Sequence, residues 1–549
     1  MAQWKPIVRF SKEVAPIDGP RISLLMPVYN TPAAVLDAAI RSVLAQTYPN
    51  WELCICDDAS TDDACLAMLD DWKGFDPRLK ISRSKVNLGI AEATNHAANF
   101  ASGEFIGFLD HDDMLTSDAL GCFATAIAQH PDADLLYSDE DKIEEDGSRS
   151  EPYLKPDWSP EHLLSVPYIL HLMVVRTSLF LSLDGLRGAY SGAQDYDLSL
   201  RATAAARRVV HIPHICYHWR KIPGSAAAQV DAKPEALKRG EAALRDFVST
   251  RHAAATVQPG LFQGSFRARW PVDDQVPVTL LILTGCRRRN VPGRGDILLI
   301  EHAVRSILAR STLQNYRILV LNDGDMPTVS RDFMAAAGVR VIDHDRIRPF
   351  NYPAKLNLGV TFVETEDLII LNDDIEVISP DWMEALLEHS RRPEVGVVGA
   401  RLLYPNGRIQ HAGIALGVCG PTAHLFHNMP ADHVGYNGFT HVVRNYSAVT
   451  GAVMATRTSL FREIGGYDEA LAIDYNDVDF CLRLGAGGLR CVWTPFATLY
   501  HFEGSSISRT APSDADQMLF VKRWGHLFGA DPFYNPGLPG DRLDCFVSS

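Results

Sequence analysis

An internal repeat constrains this chain more than any other feature. In the first half Asp58 follows the apolar run Trp51 to Asp57, and Asp112 follows the run Phe105 to Leu109; in the second half Asp323 and Asp374 stand at nearly the same separation. Further on, Asp195 in GAQDYDLSLR precedes His218 much as Asp477 in YNDVDFCLRL precedes His501. Landmarks that recur in one order over so long a period mark a duplication, so one blueprint has to fold twice.

Length agrees with that reading. At 549 residues and 60.6 kDa the chain exceeds the roughly 250 to 300 residues at which single cores stop growing. Its 46% hydrophobic content supplies enough apolar surface for two cores. Thr256 to Pro277 is rich in Pro and Gly without helical period and reads as the connector, giving domains 1–265 and 266–549. Within the first, the periodicity predicts a strand over Ile22 to Val28, a helix over Ala33 to Gln46, a strand over Trp51 to Asp57, a helix over Ala91 to Ala101 and a strand over Phe105 to Asp110. The second repeats the plan with strands at Val278 to Leu283, Arg317 to Leu321 and Leu368 to Leu371 and a helix at His302 to Ala309. A doubly wound α/β sheet in each half is the expected fold class, with ligands beyond the carboxyl ends of the strands.

A net charge of −15 excludes broad capture of nucleic acid, which needs a basic footprint, but leaves room for a nucleotide held through a divalent cation. Neither GxGxxG nor GxxxxGK follows the first strand, where PVYNTPAAV stands instead, which counts against dehydrogenase, kinase and nucleotidyltransferase readings. The ten cysteines form no CxxC pair and read as reduced, buried thiols. Without a signal-length apolar segment near Met1 or a membrane-length run, a cytoplasmic protein is expected, and Arg287 to Arg289 is too short for a basic membrane anchor.

Chemistry concentrates in the acidic turns. Asp110-His111-Asp112-Asp113 gathers carboxylates where the chain leaves a strand, and Mg²⁺ or Mn²⁺ is held by one or two such groups plus substrate phosphates. The second copy reads Asn372-Asp373-Asp374, with Asn372 in the place of Asp110. A solvated loop or helix cap is the plainer reading of one such turn; recurrence in both halves favours metal. Asp195 reads either as a helix N-cap or as a base, and the two are compatible. Arg220 and Ser225, and Glu503 to Arg509, are candidates for holding phosphate or are surface-loop residues. Trp158, Tyr168 and Trp219 are candidates for stacking on sugar rings or core aromatics.

The motifs PVYN (Pro27 to Asn30), CDDAS (Cys56 to Ser60), NLG (Asn87 to Gly89) and LDHDD (Leu109 to Asp113) occur in this order. LNDG (Leu321 to Gly324), LNDD (Leu371 to Asp374), LYPNGRIQHAG (Leu403 to Gly413), VTGAVM (Val449 to Met454) and YNDVDFCLRL (Tyr475 to Leu484) follow in the second half. On these residues the chain resembles glycosyltransferase family 2 over nearly its whole length, in the tandem form of bacterial surface-polysaccharide enzymes. The resemblance implies two GT-A domains, each a Rossmann-like, doubly wound mixed sheet.

It further implies that Asp58 and Asp323 meet the nucleotide base, with Pro27, Tyr29, Asp110 and Arg220 on the nucleotide side. Asp112 and Asp374 would carry the metal, Mn²⁺ or Mg²⁺, with His218 and His501 helping. Asp195 and Asp477 match the catalytic base of an inverting transfer. Expected partners are a UDP-, GDP- or dTDP-linked sugar donor and an oligosaccharide or lipid-linked glycan acceptor, such as a growing O-antigen or capsule chain, with peripheral contact at the inner face of the membrane. The second half departs at its first strand, where Leu283 replaces Pro27 and GCRRR (Gly285 to Arg289) replaces the VYN-like turn. The alternative is that one half is catalytic and the other is a nucleotide- or glycan-binding scaffold.

Overall fold

The computed structural model describes residues 18–221, 234–502 and 513–546. Ser225 and Glu503 to Arg509 lie outside them. Two compact units part between Ala268 and Arg269.

The first unit holds β1 (Ile22–Val28), β2 (Trp51–Asp57), β3 (Leu79–Arg83), β4 (Phe105–Phe108), β5 (Met114–Leu115), β6 (Leu135–Ile143), β7 (Arg149–Tyr153), β8 (Met173–Arg176) and β9 (Val209–Arg220). Its sheet runs β3-β2-β1-β4-β8-β6-β9-β5, with β7 added to β6. The strands from β3 to β4 are parallel, β8 runs against β4 and β6, and β9 is parallel to β6, so the sheet is mixed. Every residue of β1 and β2 is buried, as expected of strands covered on both faces. Cys54 and Cys56 are part of that run and are free thiols.

The connector is not shapeless. Its period-two runs TVQP and FRAR pair as the hairpin β10 (Thr256–Pro259) and β11 (Phe266–Arg269), and its glycines mark the loop between them. The second unit then holds β12 (Val278–Thr284), β13 (Arg288–Val291), β14 (Gly295–Leu298), β15 (Tyr316–Asn322), β16 (Arg340–Asp343), β17 (Asp367–Asn372), β18 (Ile375–Val377), β19 (Val395–Leu403), β20 (Ile409–His411), β21 (Ile414–Leu416), β22 (Thr422–His424), β23 (Arg444–Asn445), β24 (Val453–Arg457) and β25 (Arg490–His501). Its sheet runs β16-β15-β12-β17-β24-β19-β25-β18, which is the first order strand for strand, with β20 on β19 and β23 on β25. Where the first unit has VYNT after β1, the second inserts the antiparallel hairpin β13–β14.

One residue changes how far the central strands stay paired. The carbonyl of Leu25 accepts from the Leu109 N–H at 3.1 Å. Alternate residues of a strand face the same neighbour, so Pro27 faces that side too and has no hydrogen to give. The β1–β4 ladder accordingly ends at Leu25 opposite Phe108, whereas Leu283 carries the β12–β17 ladder on to Asn372.

Each unit repeats two polar brackets. Asn95 accepts from Leu186 N and donates to Leu186 O, and Asn357 does the same with Tyr467. Arg201 Nε binds Asp197 while its two terminal nitrogens bind the carbonyls of Leu183 and Gly185; Arg483 holds Asp479, Ile464 and Gly466 identically. Both carboxylates are buried, so each guanidinium fixes the helix that carries the candidate base in its first turn, Gln194–Ala205 or Asn476–Ala486, against the loop before it. Among the described residues no helix is long and apolar enough to cross a membrane. Replacing Arg483 by Met leaves two loop carbonyls without their donor and Asp479 with only Arg523 and the Trp524 indole as partners; we expect about 1 to 3 kcal/mol of lost stability, read from denaturant unfolding. A loss under about 0.5 kcal/mol, the range of ordinary surface substitutions, would contradict the bracket.

Candidate functional site

In the first unit the chain leaves β4 at Phe108, turns through Asp110 to Asp113, and rejoins the sheet at β5, where Met114 pairs with His218 of β9. Asp113 is the anchor of the turn. It is fully buried and accepts from the Tyr217 hydroxyl at 2.5 Å and the Arg220 N–H at 2.7 Å. Burial, with Asp112 and Asp110 nearby, pushes its carboxyl well above the ordinary range. Arg220 also donates through Nε to the Asp112 carbonyl at 2.8 Å, bracing the same turn.

Asp110 and Asp112 are half-buried, and carboxylate oxygens of Asp110, Asp112 and Asp113 lie within 4.8 Å of one another. His218 donates through Nδ1 to Asp141 at 2.5 Å, which fixes the ring and leaves Nε2 as its other nitrogen. Oxygen donors at this separation fit a hard divalent cation, and the strand register sets His218 opposite Met114, the residue after the turn.

Pro27, Asp110 and Asp195 line one cavity together with His171 and apolar side chains that include Leu25, Phe108 and Leu186. Tyr29, Asp58, Asp112, His218 and Arg220 are not part of its lining. The N-cap position of this helix is Ala193 rather than Asp195, but Asp195 sits in the first turn, where its Oδ1 accepts from Tyr196 N at 2.7 Å and its charge suits the helix terminus. Burial raises its carboxyl, and the nearby His171 opposes that rise.

His171 escaped the sequence reading because it lies in an apolar stretch with no motif around it. Its Nδ1 is 3.5 Å from Glu140, which is also held at 2.9 Å by the fully buried Lys155. The ring stacks on Tyr217 with centroids 4.8 Å apart. Burial works against its charge, but Glu140, Asp110 and Asp113 outweigh that and bring it to about 9.

In the second unit Ile375 pairs with His501, as Met114 does with His218. Counted from that pair, Asp374 occupies the place of Asp113, Asp373 that of Asp112, and His111 is the extra residue of the first turn. Asp373 accepts from the Thr284 hydroxyl at 2.6 Å, and burial with Asp374 alongside raises its carboxyl. His501 Nδ1 donates to Gln410 Oε1 at 2.8 Å, while its Nε2 stands 3.0 Å from Asp374 Oδ1 and 3.2 Å from Asn372 Nδ2. With Nδ1 donating, Nε2 accepts from the Asn372 amide; an imidazole nitrogen and a carboxylate oxygen this close are also a pair of donors that one cation would accept. His411, next in the chain to Gln410, lies 3.1 Å from His424; burial, then the neighbouring His424 and His501, keeps it well below the usual range for histidine. The LYPNGRIQHAG motif contains both Gln410 and His411, and it carried the signal for them although its spacing assigned them no role.

Asp477 accepts from Gly451 N and Val478 N, each at 2.8 Å, and burial raises its carboxyl against those bonds. A Cβ at Gly451 would stand 3.2 Å from that of Asp477, so the VTGAVM glycine permits the approach.

The base-side carboxylates differ between units. Asp58 accepts from Leu88 N at 2.6 Å and Gly89 N at 2.9 Å, tying down the NLG turn, in which Gly89 has φ of 84°. Its neighbour Asp57 holds Arg83 at 2.7 Å. Asp323 instead meets Lys355 Nζ at 2.7 Å and His344 Nε2 at 3.0 Å. Tyr29, the residue after β1, is 47% exposed. Tyr168 is buried, its hydroxyl accepting from Ser159 N and its ring against Tyr137, so it is a core aromatic rather than a sugar platform. Trp158 and Trp219 are half-buried, and Trp219 leans on His171 at 5.2 Å.

The sequence profile described as Glycosyl transferase family 2 matches residues 23–180 and 296–424. An uncharacterized protein of Sinorhizobium fredii is 38% identical over 97% of this chain and 59% of its own. The O-antigen biosynthesis protein RfbC of Myxococcus xanthus is 34% identical over 96% of this chain and 41% of its own. A chondroitin synthase of Pasteurella multocida is 32% identical over 36% of this chain and 20% of its own. The chain thus spans between two-fifths and three-fifths of the length of the first two relatives. With the family profile matched in both units, on two sheets of one strand order, the chain belongs to glycosyl transferase family 2.

Proposed function

We propose that each unit is a glycosyl-transfer centre and that the chain moves sugars from UDP-, GDP- or dTDP-linked donors to a growing polysaccharide such as O-antigen or capsule. One observation carries this reading. An acidic turn, a histidine on the last long strand and a half-buried aspartate opening a helix recur at the same places on both sheets. The O-antigen name of the Myxococcus relative supports the acceptor class. Lipid-linked acceptors would bring the protein to the inner membrane face without a spanning segment.

In the first unit Asp110 and Asp112, with His218 behind them, would hold Mn²⁺ or Mg²⁺; in the second Asp374 and His501 would do so. A cation there supplies Lewis-acid stabilisation of the departing nucleoside diphosphate. Pro27 and Tyr29 flank the nucleotide, and Asp58 and Asp323 lie on the base side. Asp195 and Asp477 take the proton from the acceptor hydroxyl as it attacks the anomeric carbon from the face opposite the diphosphate, which inverts configuration. Burial has lifted both carboxyls toward working pH, the direction a general base needs.

A second reading has a specific observation behind it. Asp323 is already paired with the Lys355 ammonium and in contact with His344, so the second unit would then hold glycan without transfer. Full-length Asp195→Asn and Asp477→Asn, assayed with manganese and a panel of nucleotide sugars, separate the two. Two centres predict that each variant loses one donor's turnover by about 10²- to 10⁴-fold and keeps the other. Undiminished turnover of every donor in Asp477→Asn would leave the second unit a scaffold, and the same result in both variants would refute the proposal.

The charge at His171 gives a pH signature. Its imidazolium holds the Asp195 carboxyl down, so His171→Gln in the Asp477→Asn background should move the acid limb of kcat/KM to higher pH. An unmoved or lowered acid limb would show that His171 does not tune the base.

A further inference from the structure

The first unit carries a second, chemically different donor cluster apart from the acidic turn. A carboxylate oxygen of Asp118, the thiol of Cys122 and a ring nitrogen of His214 all lie within 4.8 Å of one another. Asp118 immediately precedes the helix Ala119–Gln129, and its side chain makes no capping bond there. Cys122 N donates to Asp118 O at 3.0 Å, so the two side chains are one turn apart and leave the same face. His214 reaches them from β9, its Nε2 3.1 Å from Asp118 Oδ2. The thiol of Cys216, also on β9, lies against that of Cys122 and is buried with it.

We propose that Asp118, Cys122 and His214 form a transition-metal site of the zinc class, separate from the hard-cation turn. Three observations carry it. The donors come from a helix start and a sheet strand, elements that hold position. Two ligands on one tetrahedral ion stand roughly 3.3 Å apart, near the separation of the Asp118 and His214 donors. Thiolate and imidazole select zinc-like ions over Mg²⁺ and Mn²⁺, which the all-oxygen turn favours.

The second unit is an internal contrast. Its equivalent helix opens with Asp381 and Ala385 joined by the same backbone bond at 2.9 Å, and no thiol stands there. Since β9 also bears His218 and Arg220, an ion at Cys122 would clip the helix Ala119–Gln129 to the strand behind the acidic turn. The effect falls on stability rather than on transfer.

Full-length protein freed of metal and titrated with Co²⁺ alone tests this. We expect one equivalent to give a thiolate-to-cobalt charge-transfer band, Zn²⁺ to displace it, and added Zn²⁺ to raise the unfolding temperature. Cys122→Ser and His214→Ala should each abolish the band while keeping manganese-dependent nucleotide release. Cys419→Ser, which removes the exposed cysteine among those described, should retain it. No band in the parent protein, or a band that survives Cys122→Ser, would overturn the site. Loss of the band in Cys419→Ser would do the same, because it would place the ion at that surface thiol.

Discussion

Where each chain leaves a central strand at the sheet's carboxyl end, it must return within a few residues to pair with the last long strand. Met114 opposite His218 and Ile375 opposite His501 fix that return. A turn so short, closed at both ends, crowds its carboxylates within reach of one another. Mutual repulsion in a half-buried place is costly, and the fold offsets part of it by burying Asp113 under Tyr217 and Arg220. Asp110 and Asp112 are left as the pair facing outward, with a cation as their natural complement.

The two units share this frame and diverge in what surrounds it. Pro27 ends the ladder beneath the first turn early, while Leu283 extends it beneath the second. The first unit sets a charged His171 beside its candidate base; the second sets the backbone N–H of Gly451 there. Asp58 is held by peptide N–H groups, and Asp323 by the Lys355 ammonium and the His344 ring. Differences of this kind, on an unchanged frame, alter electrostatics at a site without altering where its ligands stand. They are the differences expected if the units handle different sugars or linkages.

Support for the candidate bases comes from behind. The guanidinium brackets of Arg201 and Arg483 fix the start of each helix through a buried carboxylate and two loop carbonyls. An aspartate two residues upstream, Asp195 or Asp477, is thereby placed by groups that never reach the cavity. The second acidic residue of QDYD and NDVD serves the fold, and the first is the one proposed for the site.

The sequence by itself determined the alternation of strands and helices, the duplication and the acidic turns. Those features are written locally: apolar runs of strand length, helical periods and a recurring order of landmarks survive without knowledge of neighbours. It also gave the strands β1 and β2 to the residue, because both are uninterrupted buried runs. Only the tertiary structure decided which aspartate of the first turn is an anchor and which are left half-buried, that Asp374 corresponds by register to Asp113, that Tyr168 is core, and that His171 lines the cavity with Asp195. Each of these depends on partners brought across the sheet from far along the chain, such as Tyr217 on Asp113 or Glu140 on His171. No local spacing encodes which side chains meet there, since the pairing exists only once both strands have found their register.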